Sequence, residues 1–205
     1  MEKGAVFPLF YLPSIEFFKN LHHLKDESIL IEREEHFPKQ TFRNRTRIAG
    51  PNGILDLTVP VKKNKGSQGH TPYKEIRIAN DDDWQRIHWL SLEASYRSSA
   101  YFEFYEDEFL PFYQKKYDFL LDYNQQLLDL LLKLLKFPLS YSFTEAYEKA
   151  YLGLVDLRGE MHPKKPSSYQ NKPYYQVFED RIGYQPNLSM IDLLFNQGPQ
   201  AMKFV

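Results

Sequence analysis

The chain has 205 residues, with 26 Lys and Arg against 27 Asp and Glu, and no cysteine. That length suits one domain spanning 1–205, and the missing thiols exclude disulfides, cysteine nucleophiles and thiolate metal sites. The formal charge of −1 argues against general nucleic-acid or anionic-membrane binding, which calls for a basic excess.

In chain order, residues 5–13 read as an extended segment broken by Pro8 and Pro13. Ser14 then stands where a helix cap belongs, with Phe17, Phe18 and Leu21 at helical spacing behind it. Ser28 to Glu32 reads as a buried strand. Residues 42–49 and 54–61 read as two strands around Pro51-Asn52-Gly53, since Asn-Gly supplies the positive φ angles of a tight hairpin. Residues 62–71 form a polar loop, in which the Lys62 to Gly66 run is a candidate lid over an anion. Lys74 to Ala79 is expected as a third strand beside the hairpin, and Asp81 to Asp83 as an acidic cap for a helix over 84–99. Further helices are expected over about 106–116, over 118–136 and, capped by Asn187 or Ser189, over 189–195. The apolar run from Leu127 to Phe137 contains Asp129, Lys133 and Lys136, so it does not make a membrane span. The amino-terminal residues lack a secretory pattern, so a cytoplasmic location is expected. Residues 158–173 are polar and proline-bearing and are expected to be a flexible loop. The fold class expected is α+β: an antiparallel sheet built around the hairpin at about 42–61, packed with helices over about 84–136.

Several blocks, in order, resemble the WbqC-like protein family. They are the segment from Tyr11 to Phe18, the Lys39 to Ile48 block, and Asn52-Gly53 followed by Leu57-Thr58-Val59-Pro60-Val61. Trp84 with His88, Ser99 to Phe102, and the stretch from Pro186 to Pro199 complete the set. Ala100 departs from a common proline, and Phe7-Pro8 from a Gln-Pro opening, so a role for an amino-terminal glutamine is not carried over. The resemblance implies a bacterial transferase of surface-polysaccharide (O-antigen type) assembly, with amino-acyl transfer, glycine in particular, onto a sugar as the reaction.

From the residues alone, Arg43, Arg45 and Arg47 are the main chemical feature. On a strand over 42–48 they share one face, where guanidinium forks bind carboxylate or phosphate. The expected partner is an anionic small molecule, a nucleotide sugar or an activated acyl donor. Lys39, Gln40 and Tyr11 join the arginines as candidate substrate-binding residues. His88, one turn after Trp84, is the candidate general base and His36 the second. The plainer reading is a packed helix histidine and an arginine face paired with Asp56 or the Asp81–Asp83 run. His22 and His23 are adjacent and lack the helical i, i+4 spacing, so no metal site is expected, and no cofactor. A non-catalytic module that binds a phosphorylated or carboxylated metabolite remains the alternative. Single-stranded nucleic acid is a third reading, which the charge balance weighs against.

Overall fold

The computed structural model describes residues 4–62, 71–165, 167 and 169–205. The fold is α+β. A four-stranded parallel sheet has the order β5-β2-β1-β6, with β1 at Gly4–Pro8, β2 at Ser28–Glu32, β5 at Ser142–Phe143 and β6 at Val155–Asp156. Parallel neighbours need a long crossover, and α1 (Ile15–His23) supplies it between β1 and β2, burying Ile15, Phe17, Phe18 and Leu21. All five residues of β1 are buried, as expected of a central parallel strand.

The antiparallel element is a separate two-stranded hairpin, β3 (Arg45–Gly50) and β4 (Gly53–Thr58), in register Arg47↔Asp56 and Ile48↔Leu55. The hairpin expectation is therefore met in place and sense, but the larger sheet is not built around it. The hairpin carries too little apolar face to nucleate more strands: Ile54 and Leu55 are exposed, while Ile48 and Leu57 are buried. Residues 74–79 do not form the third strand either. Tyr73–Glu75 is a 3-10 turn, and the rest of the segment pairs with its neighbours through isolated bridges, Val61↔Ile78 and Arg77↔Phe119, and backbone hydrogen bonds rather than a ladder.

The helices α2 (Trp84–Tyr96), α3 (Phe102–Gln114) and α4 (Leu120–Leu134) lie near their expected places. They are followed by a short α5 (Glu179–Ile182) and by α6 (Met190–Gln197). Helix α6 runs through the core, with every residue from Met190 to Asn196 buried. Phe195 on it meets Phe102 and Phe109 edge-on, with ring centroids 5.1 and 5.4 Å apart. The capping expectations are met in position, with Ser14, Asp83 and Ser189 at the N-caps of α1, α2 and α6, but not in side-chain hydrogen bonding. Neither Ser14 nor Ser189 caps its own helix with its side chain, and the Ser189 hydroxyl instead donates to the Leu12 carbonyl at 2.9 Å. Asn187, at φ 52, reaches across the fold and accepts the Glu16 N–H at 2.9 Å, capping α1 from 171 residues away. Asp192 faces Tyr96 and Tyr174, whose hydroxyls donate to it at 2.8 and 2.6 Å. Among the described residues no helix is long and apolar enough to cross a membrane.

Candidate functional site

The carboxyl ends of the parallel strands are where an α/β sheet leaves a crevice, especially where the chain leaves a central strand in opposite directions. Here β1 is flanked by β2 on one side and β6 on the other. Arg158, just past β6, ties these ends together. Its guanidinium donates to Glu32, the last residue of β2, at 2.9 Å and to Asp156 on β6 at 2.5 Å. It is sandwiched between the rings of Tyr147 and Tyr151, 5.3 and 4.8 Å from their centroids. Glu32 is fully buried and also accepts the N–H groups of Glu34 and Glu35 and the hydroxyls of Thr144 and Tyr151. The hydrogen bonds from Arg158 hold the Asp156 carboxyl below its ordinary pKa.

A groove in two lobes of about 550 and 540 Å³, within the roughly 300–1,000 Å³ of small-molecule clefts, reaches this crossing through Asp156 and Arg158 in its second lobe. Glu160 and His162 line both lobes, so the segment around them forms the ridge between. The smaller lobe holds Lys39, Arg43 and Arg158 against Glu35, Asp156 and Glu160. The larger holds Arg47, Lys164 and Lys165 against Glu16 and Glu160.

The structure divides the three arginines. Strand β3 begins at Arg45, so Arg43 falls outside it and the expected shared face does not extend that far. Arg43 is 3% exposed and forks onto Glu35 at 2.5 and 2.9 Å. Its Nη2 also donates to the Arg158 carbonyl at 3.2 Å. Burial raises the Glu35 pKa even though Arg43 pulls it down. Arg45 and Arg47 do share a face, and both lean on the single carboxylate of Asp56, at 3.9 and 3.2 Å. Arg47, half-buried on the wall of the larger lobe, also donates to the Pro163 carbonyl at 2.9 Å. Arg43 and Arg47 thus fasten the ridge segment at two points.

The other sequence candidates scatter. Lys39 lines the smaller lobe and makes no ion pair among the described residues, while Gln40 is exposed at φ 59. His36 is exposed, with its ring 6.4 Å from that of Tyr147. His88 is 4% exposed and lines neither lobe. Its Nδ1 meets the Tyr11 hydroxyl at 2.9 Å, which in turn meets the Tyr113 hydroxyl at 3.1 Å. Burial pushes the His88 pKa down to about 4 against a hydrogen bond with the Thr58 backbone. A base must reach its substrate's proton; this imidazole and the fully buried Tyr11 meet only each other and the core. Of the expected lid, only Lys62 is among the described residues.

Sequence reasoning passes over Arg158 and His162, because 158–173 reads as a polar loop. The available signal is the histidine beside Pro163-Lys164-Lys165. His162 is half-buried; desolvation, then Lys165, Lys164 and Arg43, lower its pKa from its ordinary value. Its Nδ1 accepts the Lys164 N–H at 3.1 Å, which leaves the ring proton on Nε2.

Comparison with known proteins gives two matches. The WbqC-like protein family matches residues 10–156. The uncharacterized protein Rv1507c of Mycobacterium tuberculosis is 26% identical over 231 residues, covering 100% of this chain and 98% of that relative. No solved structure matches the chain.

Proposed function

The chain belongs to the WbqC-like protein family, and from that premise we propose that it binds an anionic metabolite, phosphorylated or carboxylated, in the two-lobed groove. It acts as a transferase of bacterial surface-polysaccharide assembly, and the reaction is amino-acyl transfer onto a sugar. The observation that supports this is the meeting of Arg47, Lys164, Lys165 and His162 at one lobe.

In acyl transfer the acceptor's hydroxyl or amine loses a proton as it attacks the carbonyl, and negative charge grows on the carbonyl oxygen and the leaving group. His162, carrying its proton on Nε2, is a hydrogen-bond donor for such an oxygen. Glu160 faces both lobes and is the carboxylate placed to take the acceptor's proton. A non-catalytic binding module is the second reading; the burial of His88 away from the groove favours it.

Mass spectrometry of mixtures of the protein with nucleotide sugars and activated glycine separates the two. A transferase forms a glycylated sugar, and Glu160→Gln abolishes the product while the ligand still binds. A binding module forms no product with any donor, and its affinity is the same with and without Glu160→Gln.

A further inference from the structure

The larger lobe combines two kinds of residue. Its lining includes the cations Arg47, Lys164 and Lys165 and a second set, Glu16, Gln170 and Gln185, with the Tyr169 ring. Among the described residues, oxygens of the second set remain without a hydrogen-bond partner. Glu16 Oε2 accepts from the Ser167 hydroxyl and Asn187 Nδ2 at 2.9 and 2.8 Å, so that Oε1 is left over. Gln185 spends Nε2 on the carbonyls of Ile182 and Gly183 at 2.9 and 3.3 Å, leaving its Oε1. Gln170 is exposed in the lobe and presents an amide with both donors and an acceptor.

A bare phosphate or carboxylate brings acceptors only, and Glu16 and Glu160 would repel it. A hydroxyl brings a donor as well as acceptors, and a row of them turns both carboxylates and the glutamine oxygens into partners. We infer that the ligand of this lobe is a sugar carrying phosphate, with its hydroxyls on the Glu16–Gln170–Gln185 set and its anion on Arg47, Lys164 and Lys165. This rests on the anion-binding reading above and selects, between the two donor classes, the glycosyl phosphate over the acyl phosphate for this lobe.

Isothermal titration calorimetry of the full chain with UDP-glucose, UDP-galactose, UDP-N-acetylglucosamine, UDP-glucuronate, UDP and acetyl phosphate tests it. At least one UDP-sugar is expected to bind about ten-fold tighter than UDP, the gain of one or two net hydrogen bonds. Gln170→Ala, at an exposed position where folding is not at risk, should narrow that gap while leaving UDP affinity in place, and Glu16→Gln should narrow it while tightening UDP, since its charge no longer opposes the phosphate. Arg47→Ala with Lys164→Ala should weaken every phosphorylated probe. If UDP and acetyl phosphate bind but no UDP-sugar binds tighter than UDP, the sugar assignment is overturned and the anion site stands. If no probe binds, both fall.

Discussion

Arg43→Met removes a guanidinium that forks onto Glu35 at 2.5 and 2.9 Å, where the two side chains are only 3% and 10% exposed. Methionine fills most of the aliphatic space and leaves a carboxylate in the core without its cation. Breaking one partner of a buried pair in this way costs about 3–5 kcal/mol, a large part of the roughly 5–15 kcal/mol that holds a domain together. The pH dependence has a definite sign. Burial already raises the folded-state pKa of Glu35, and losing Arg43 removes the charge opposing that rise. A carboxyl with a folded pKa above its unfolded value takes up protons preferentially when folded, so stability falls as pH climbs through that window. The deficit of Arg43→Met should be smaller at pH 5 than at pH 8, and Glu35→Gln on top of it should restore most of the loss, since no buried charge then remains. Urea unfolding followed by the fluorescence of the buried Trp84 measures this. A deficit below about 1 kcal/mol, or a double variant no better than the single one, refutes the account of Arg43 as a structural cation.

Other perturbations probe the remaining assignments. His88, pushed down to about 4, stays neutral in the fold while the unfolded chain protonates near 6.5. The stability it carries is therefore whole above pH 6.5 and declines by roughly 3 kcal/mol as pH falls to about 4; His88→Phe should flatten that limb of the curve, and NMR should find no imidazolium at pH 5.5. Tyr11→Phe deprives buried His88 and Tyr113 of their bridging hydroxyl and should cost about 1–3 kcal/mol in urea, with ligand affinity unchanged. Gly198→Ala places a Cβ about 2.5 Å from the Tyr101 ring at φ +53, so a loss of roughly 1–3 kcal/mol is expected by thermal melting. Arg47→Ala should weaken binding of phosphorylated ligands and lessen its salt dependence, read by calorimetry at two salt concentrations.

Elements whose signal is local were legible in the sequence. Asn52-Gly53 with its alternating flanks places the hairpin, and the leucine density of 118–136 places α4, because turn chemistry and helical periodicity act within a few residues. The charge of Arg43, Arg45 and Arg47 was equally visible as a set of cations that must find anions. What met them was not. Glu35 is eight residues from Arg43 but reaches it only because the chain turns after β2, and Asp56 serves both Arg45 and Arg47 through the hairpin register. The parallel pairing of β1 with β6, the crossing of Arg158 from Asp156 to Glu32, and the capping of α1 by Asn187 all join residues more than a hundred positions apart, or rest on such a joining. A pattern of residue types carries no record of which distant carbonyl or carboxylate will close a contact; that follows from how buried faces pack. Sequence by itself thus determined the class of fold, the principal helices and the demand for negative charge. Tertiary structure decided which cations were spent on the protein's own acids, Arg43 on Glu35 and Arg45 with Arg47 on Asp56, and which, such as Lys164, still face open space.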